Sequence, residues 1–235
     1  QKISEAFRQL RSGRPRPVGL EMPMDIMWKK SEVTLGSRTS GCPAPLPDPD
    51  LVEKAAKILG ESQQPMIFVG GGAYEACQEI KTLAETLQAP VISYQNGRGI
   101  LDERHYLAHT NTAGAILWKN CDAAISIGCR MQAERMSWGM DDALKIIHVD
   151  IDPTEINRIM KPDVGLVSDA AFTTRKIIDA LNKYNLKRTS REEEMLNLKA
   201  QAEKLMEEKA GPQMAWLRAI RDVLPDNGLF VDEFT

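Results

Sequence analysis

Apolar runs alternate with amphipathic stretches along the middle of the chain, from residue 48 to residue 184. Five short apolar runs, each bounded by turn residues, predict buried strands: PMIFVG, APVISY, CDAAISIG, ALKIIHVDI and PDVGLVSD. The stretches before and between them predict helices, the first of which opens with Asp48 as a cap and Pro49 at the first helical position. Continuous apolar strands alternating with helices are typical of a parallel sheet that is covered on both faces. The pattern predicts a doubly wound, Rossmann-like α/β domain with five or six strands.

The segments on either side of this domain have a different pattern. Residues 3–11 predict an amphipathic helix, and residues 29–47 are rich in Ser, Thr, Gly and Pro, which is typical of a linker. Beyond the domain, a charged helix is expected to end at Gly211-Pro212, and a further helix and the strand GLFVD follow it. The expected organisation is a first segment 1–28, a linker 29–47, the Rossmann-like domain 48–184, a linker helix 185–211, and a last segment 212–235 that begins another α/β unit.

Composition narrows the possible partners. Hydrophobic residues make up 43% and charged residues 27%, and the net charge of -3 gives no electrostatic reason to expect nucleic acid or an anionic membrane as a partner. The chain has neither a long apolar run nor the apolar core of a signal peptide, so we expect a cytoplasmic protein whose four scattered cysteines are buried free thiols. It begins at Gln1 within a predicted helix and ends on DEFT after an apolar run, which we interpret as a piece of a longer polypeptide.

Three consecutive glycines, Gly70 to Gly72, follow the first predicted strand and precede a helix. Backbone N–H groups at such a turn suit a pyrophosphate, but a plain strand-to-helix turn also explains the glycines. The dinucleotide fingerprint is incomplete, because Glu75 occupies its third glycine position and the second strand ends in Ser93-Tyr94 instead of an acid. The sequence therefore argues against a standard NAD site.

Charged residues follow the third and fourth of the five predicted strands. Asp150 lies where doubly wound folds bind ligands, and Arg130 suits a phosphate or a surface salt bridge. Asp152 to Glu155 has the form of a capping box, in which Glu155 would reach back to the start of the helix. No nucleophile elbow, Walker loop, zinc motif or Cys/His pair is present, so we predict no catalytic residues and no metal ligands in this chain.

Several motifs together resemble one family. The segments GRPRPVGLEMPMDI, VGGGA, PVISY, SIGCR, HVDIDPTEI and LPDNGLFVDEFT occur in the order found in thiamine-diphosphate enzymes of the acetolactate synthase and benzoylformate decarboxylase type. The resemblance implies that residues 1–28 end a pyrimidine-binding domain, that 48–184 is the central domain, and that 212–235 begins the diphosphate-binding domain. It also implies a homo-oligomeric parent enzyme that acts on a 2-oxo acid with thiamine diphosphate and Mg²⁺, whose sites lie outside this chain. The chain alone is expected to be inactive.

In some members of that family the central domain binds FAD or ADP. The matching positions here are Gly70, Gly71, Gly72, Tyr94, Gln95, Asn96, His109, Gly128, Arg130, Asp150 and Asp169. Three departures weaken FAD binding specifically: Arg16 replaces a glycine, MQAERMSWG replaces an FDDR-type run, and Ser168 replaces a glycine. We therefore predict at most weak adenine-nucleotide binding. A free-standing, non-catalytic module that binds FAD or ADP is the competing interpretation, although such a module needs neither GRPRPV nor LPDNG.

Overall fold

The computed structural model describes residues 2–34, 36, 41–140 and 143–231. Its centre is a six-stranded, all-parallel sheet with the order β3-β2-β1-β4-β5-β6, which confirms the predicted doubly wound α/β fold. The strands are β1 Pro65–Val69, β2 Val91–Ser93, β3 Ala108–His109, β4 Ala123–Ile127, β5 Lys145–Asp150 and β6 Val164–Val167. Five of them correspond to the predicted runs. β3 lies in a stretch that the sequence predicts to be a loop, because two residues are too few to show any periodicity.

Helices cover the sheet where the alternation predicts them. They are α3 Pro49–Glu61, α4 Cys77–Leu87, α5 Asn111–Leu117, α6 Pro153–Ile156 and α7 Ala170–Leu181. Aspartate side chains cap three of these helices: Asp48 accepts from the Asp50 N–H, Asp152 from the Thr154 N–H and Asp169 from the Phe172 N–H, at 2.9, 2.9 and 2.8 Å. The predicted cap at Asp48 is confirmed.

Alternate residues of the strands face two separate apolar cores. Ile67, Val69 and Ile125 pack with α3, α4 and α7 on one face. On the other face, Phe68 contacts Trp118 edge-to-face, with ring centroids 5.7 Å apart. Residues 134–138 form a π-helical turn that also covers this second face. Both faces are thus buried, as parallel sheets require.

The flanking segments carry helices α1 Lys2–Leu10, α2 Met24–Met27 and α8 Glu192–Val223. The predicted end at Gly211-Pro212 is a kink inside α8, where Ala210 leaves helical geometry with φ -133° and ψ 35°. Sharp kinks are common at a proline inside a helix, and Pro212 lies in this one. The predicted strand GLFVD is absent over its described part, 228–231, since no described strand lies beside it to accept hydrogen bonds, and its last residue lies outside the described residues. The domain boundaries stay a prediction.

Two further expectations concern the burial of the cysteines and the presence of helices that could cross a membrane. The four cysteines are free, but Cys42 is exposed, so the expectation of buried thiols is wrong for this position, which lies on the surface beside α1. No helix in the part of the chain that the structure describes combines the length and apolarity needed to cross a membrane.

Candidate functional site

Two glycine turns meet at the carboxyl edge of the sheet. Gly70 follows β1 and Gly128 follows β4, and these two strands are neighbours at the point where the strand order reverses. Ligands of doubly wound folds bind in the crevice at such a switch point. The predicted glycine turn therefore lies where a binding site is expected from the topology.

The glycines are needed because the two turns touch. A Cβ at Gly70 would lie 2.7 Å from the Gly128 carbonyl oxygen, and one at Gly72 would lie 2.8 Å from the Gly128 Cα. Gly128 itself has φ +60°, and a Cβ there would lie 2.4 Å from the Gly72 carbonyl carbon. Gly71 differs, because its Cβ would make only ordinary contacts, at 3.4 Å from Asn96 and 3.7 Å from Tyr74. Packing of backbone against backbone thus accounts for Gly70, Gly72 and Gly128.

The N–H groups of the turn are largely used within the protein. The Gly70 N–H donates to the Ile127 carbonyl at 3.3 Å, and the Gly72 N–H donates to the Gly128 carbonyl at 3.2 Å. These two bonds tie the turn after β1 to the turn after β4. A phosphate cradle needs N–H groups that point outward, so the glycine turn offers fewer donors to a ligand than its sequence indicates.

A cavity of about 380 Å³ opens beside the two turns. Its lining contains nine of the predicted site residues: Gly70, Gly71, Gly72, Tyr94, Gln95, Asn96, Gly128, Arg130 and Asp150. Arg14, Cys129, Met131 and Gln132 complete it. An adjoining cavity of about 440 Å³ shares Arg14 and Asp150 with the first and also contains Asp169. The structure therefore brings together all but one of the predicted site residues.

His109 is the exception. It ends β3, two strands away from β1, and lines a different cavity of about 320 Å³ together with Lys199 of α8. The residue is only 6% exposed, and neither ring nitrogen has a hydrogen-bond partner among the described residues. Burial, with the nearby Lys199, lowers the pKa of His109 to about 4, so the imidazole is neutral at pH 7.

Arg130 is held by a buried carboxylate. Its Nε and Nη2 donate to the two carboxylate oxygens of Glu155 at 2.6 and 2.8 Å. This bidentate pair is the main cause that lowers the pKa of Glu155 to about 2. Of the two sequence interpretations of Arg130, the structure thus shows an ion pair, although its partner is buried. The Nε and Nη2 groups of Arg130, which could donate hydrogen bonds to a phosphate, are therefore already bonded to Glu155.

The predicted capping box is wrong for Glu155. Glu155 turns to Arg130 instead of the start of α6, and Asp150 replaces it by accepting the Asp152 N–H at 2.9 Å. Burial raises the pKa of the Asp150 carboxyl. Asp169 caps α7, as described above. Asp150 and Asp169, two acids at positions that match the family's nucleotide site, therefore also have structural roles.

A buried pair behind the cavity was missed by the sequence interpretation. The Tyr94 hydroxyl donates to the carboxylate of Glu134, which lies fully buried in the π-helical turn. Burial raises the pKa of both Tyr94 and Glu134. Arg135, the next residue, is also buried and donates to the Met160 carbonyl. The unusual run MQAERMSWG was the available signal, but its pattern does not reveal which side chains turn inward.

The described residues offer no group of three or more His, Cys, Asp or Glu side chains that could hold a metal ion. What the site provides is a partly open cavity of mixed polarity with amide side chains, the guanidinium of Arg14 and one buried acid. Such a lining can bind and orient a small polar ligand. It contains no nucleophile paired with a base among the described residues.

Comparison with known proteins gives a consistent result. Residues 52–181 match the family described as thiamine pyrophosphate enzyme, central domain. A probable acetolactate synthase large subunit of Methanocaldococcus jannaschii is 32% identical over 210 residues, which cover 80% of this chain and 35% of that protein. The acetolactate synthase large subunit of Corynebacterium glutamicum is 31% identical, covering 76% of this chain and 31% of that protein. The glyoxylate carboligase of Escherichia coli O157:H7 is 32% identical, covering 75% and 32%. The chain thus spans about a third of the length of these relatives.

Proposed function

Since the chain belongs to the thiamine pyrophosphate enzymes through their central domain, we propose that it forms the middle of a thiamine-diphosphate-dependent lyase or transferase that acts on a 2-oxo acid. The reaction is a decarboxylation or a carboligation. The observation that carries the proposal is the similarity to acetolactate synthases and a glyoxylate carboligase, which covers more of the chain than residues 52–181. A free-standing nucleotide-binding module gives no reason for similarity that extends beyond the central domain.

The flanking segments support a larger parent protein. Exposed large apolar side chains are concentrated in them, including Trp28 at 80% and Leu229 at 92% exposure. A folded domain rarely leaves such residues in water unless they face another domain or subunit. We assign 1–28 to the end of the pyrimidine-binding domain and 212–235 to the start of the diphosphate-binding domain, with neighbouring domains covering both.

Catalysis belongs to those other domains. Bound thiamine diphosphate, with Mg²⁺, supplies the electron sink for loss of carbon dioxide from a 2-oxo acid. The central domain contributes a rigid sheet that fixes the two flanks, and the parent is expected to be a cytoplasmic homo-oligomer. The 235-residue chain alone has no 2-oxo acid activity on this proposal.

The cavity at the carboxyl edge binds an adenine nucleotide, ADP or FAD, only weakly. The N–H groups of Gly70 and Gly72 are already bonded, and Arg130 is engaged by Glu155. Titration calorimetry with FAD, ADP and NAD tests this, and we expect dissociation constants weaker than about 10 μM, or roughly −7 kcal/mol. Submicromolar FAD binding would contradict it.

The enzyme proposal is tested on the full-length polypeptide that contains these residues. Purified with thiamine diphosphate and Mg²⁺, it should consume pyruvate or glyoxylate, while the 235-residue chain should not. The gene also provides a test, because a GDG…N motif should follow Thr235 within roughly one further domain, about 100 residues. A reading frame that continues for that distance without the motif would refute the enzyme proposal.

A further inference from the structure

One buried carboxylate at the carboxyl edge is surrounded by arginines. Glu155 lies in α6 with its side chain shielded from solvent. Four guanidinium groups approach its oxygens: Arg130 at 2.6 and 2.8 Å, Arg158 at 3.0 Å, Arg14 at 3.1 Å and Arg16 at 3.5 Å. They come from three parts of the chain, namely the N-terminal segment, the residues after β4 and the residues after α6. We call these five residues the arginine cluster.

Positive charge exceeds negative charge in the arginine cluster. Apart from Glu155, Asp152 accepts from Arg16, and Asp150 lies within electrostatic reach of Arg14 and Arg130. Four cations therefore face three carboxylates, of which Glu155 is the one that all four arginines contact. All four arginines contact Oε1 of Glu155, and Oε2 accepts from the Nε of Arg130. Removing Glu155 would leave several guanidinium groups close together without the anion that neutralises them.

The cluster also ties down an irregular segment. Residues 13–18 contain no helix or strand, and Pro15 and Pro17 have no N–H to donate. Among the described residues, the hydrogen bonds that join this segment to the central domain come from the side chains of Arg14 and Arg16. Both reach Glu155, across more than 130 positions of sequence. The same segment places Arg14 in the lining of both cavities.

We propose that Glu155 is a positioning residue, a built-in counter-anion that holds residues 13–18, and with them Arg14, across the carboxyl edge of the sheet. When its charge is removed, the arginines become a site for a free oxyanion. A carboxylate with a purely local role, such as a helix cap, would not be replaced by an anion from solution. Inorganic phosphate distinguishes the two roles, because it offers a divalent, multidentate acceptor to several guanidinium groups at once.

The first experiment is thermal unfolding of the 235-residue chain in 0 to about 20 mM phosphate, at an ionic strength held constant with NaCl. Glu155→Gln should lower the midpoint by about 5–10 °C, and phosphate should restore at least half of this loss. Glu155→Asp keeps the charge, so it should lose less and gain little from phosphate. Glu79→Gln is the matched control, because Glu79 pairs with the single arginine Arg175. Adding phosphate should change the unfolding midpoints of Glu79→Gln and of the wild type by no more than about 1–2 °C.

The second experiment asks whether the segment depends on this carboxylate. In an Arg14→Met/Arg16→Met background, Glu155→Gln should lower the midpoint by at most half as much as in the wild type, because two of the four cations are gone. The rise in midpoint that phosphate gives to the Glu155→Gln variant should also be smaller in this background. Fully additive losses, or equal phosphate shifts in all variants, would overturn the proposal. Neither experiment uses a nucleotide or a 2-oxo acid, so failure here leaves the proposed enzyme function untouched.

Discussion

The contact between the turns after β1 and β4 predicts a large effect of Gly128→Ala. Gly128 has φ +60°, a conformation that costs a residue with a Cβ about 1–2 kcal/mol. The new Cβ would lie 2.4 Å from the Gly72 carbonyl carbon, so the turns must separate by roughly 1 Å to restore ordinary contact. This movement breaks the bond from the Gly72 N–H to the Gly128 carbonyl, now 3.2 Å long, at about 1–2 kcal/mol more. We expect a total loss of about 2–4 kcal/mol in the free energy of unfolding.

Gly71→Ala is the matched control for this substitution. It lies in the same glycine run, but its Cβ would approach other atoms no closer than 3.4 Å, so we expect a change below about 1 kcal/mol. Urea unfolding followed by circular dichroism measures both, and Gly128→Ala should move the midpoint by about 1–2 M with an unchanged slope. Equal midpoints for the two variants would refute the explanation that the turns require glycine because they touch.

Three further predictions concern polar side chains that are buried or partly buried. The folded pKa of His109, about 4, lies below the unfolded value of 6.5, so the contribution of this residue to the free energy of unfolding is complete above pH 6.5 and falls by up to about 3 kcal/mol as the pH drops to 4. Urea unfolding at several pH values should show a weaker pH dependence of that free energy for His109→Gln than for the wild type. An unchanged pH dependence would contradict this prediction. The pKa of Glu134 in the folded protein is raised above 4.5, so its contribution to the free energy of unfolding declines as the pH rises above 4.5. Glu134→Gln should therefore gain stability relative to the wild type between pH 4.5 and 8. Plots of unfolding free energy against pH that run parallel for the two proteins would count against this. The carboxylate of Asp122 accepts hydrogen bonds from two backbone N–H groups in the turn before β1, at 2.7 and 2.9 Å. Asp122→Asn should therefore lower the free energy of unfolding by about 1–3 kcal/mol. An unchanged urea midpoint would show that these hydrogen bonds do not stabilise the turn.

The architecture could be predicted from the sequence because apolar periodicity reports burial directly. Runs such as PMIFV are buried on both faces, and their alternation with helices is typical of a parallel sheet that helices cover. The exceptions are elements whose formation depends on a neighbour. β3 is two residues long and forms through pairing with β2, and the strand predicted after α8 has no described strand beside it. Local pattern cannot reveal either outcome.

The position of the candidate site could be predicted from the sequence, but the side-chain hydrogen bonds within it could not. Topology places Gly70, Tyr94 and Asp150 at one edge, since the carboxyl ends of parallel strands lie together. Arg130 and Glu155 illustrate the limit, because their pairing joins side chains 25 positions apart that each had a plausible local role. The approach of Arg14 to Glu155 spans 141 positions. Contacts of this kind arise from packing in three dimensions and leave no periodic signal in the sequence.

The same limit applies to the glycine run itself. A glycine indicates that a side chain does not fit, but the sequence does not say whether a ligand or the protein occupies that space. At Gly70 and Gly72 the Cβ positions are filled by the turn after β4, so these glycines would be required even if no phosphate ever bound. Gly71 is free of that constraint, and a ligand-based role would have to act there. Weaker nucleotide binding by Gly71→Ala, at unchanged stability, would therefore reveal phosphate recognition, whereas loss of binding by Gly128→Ala would not.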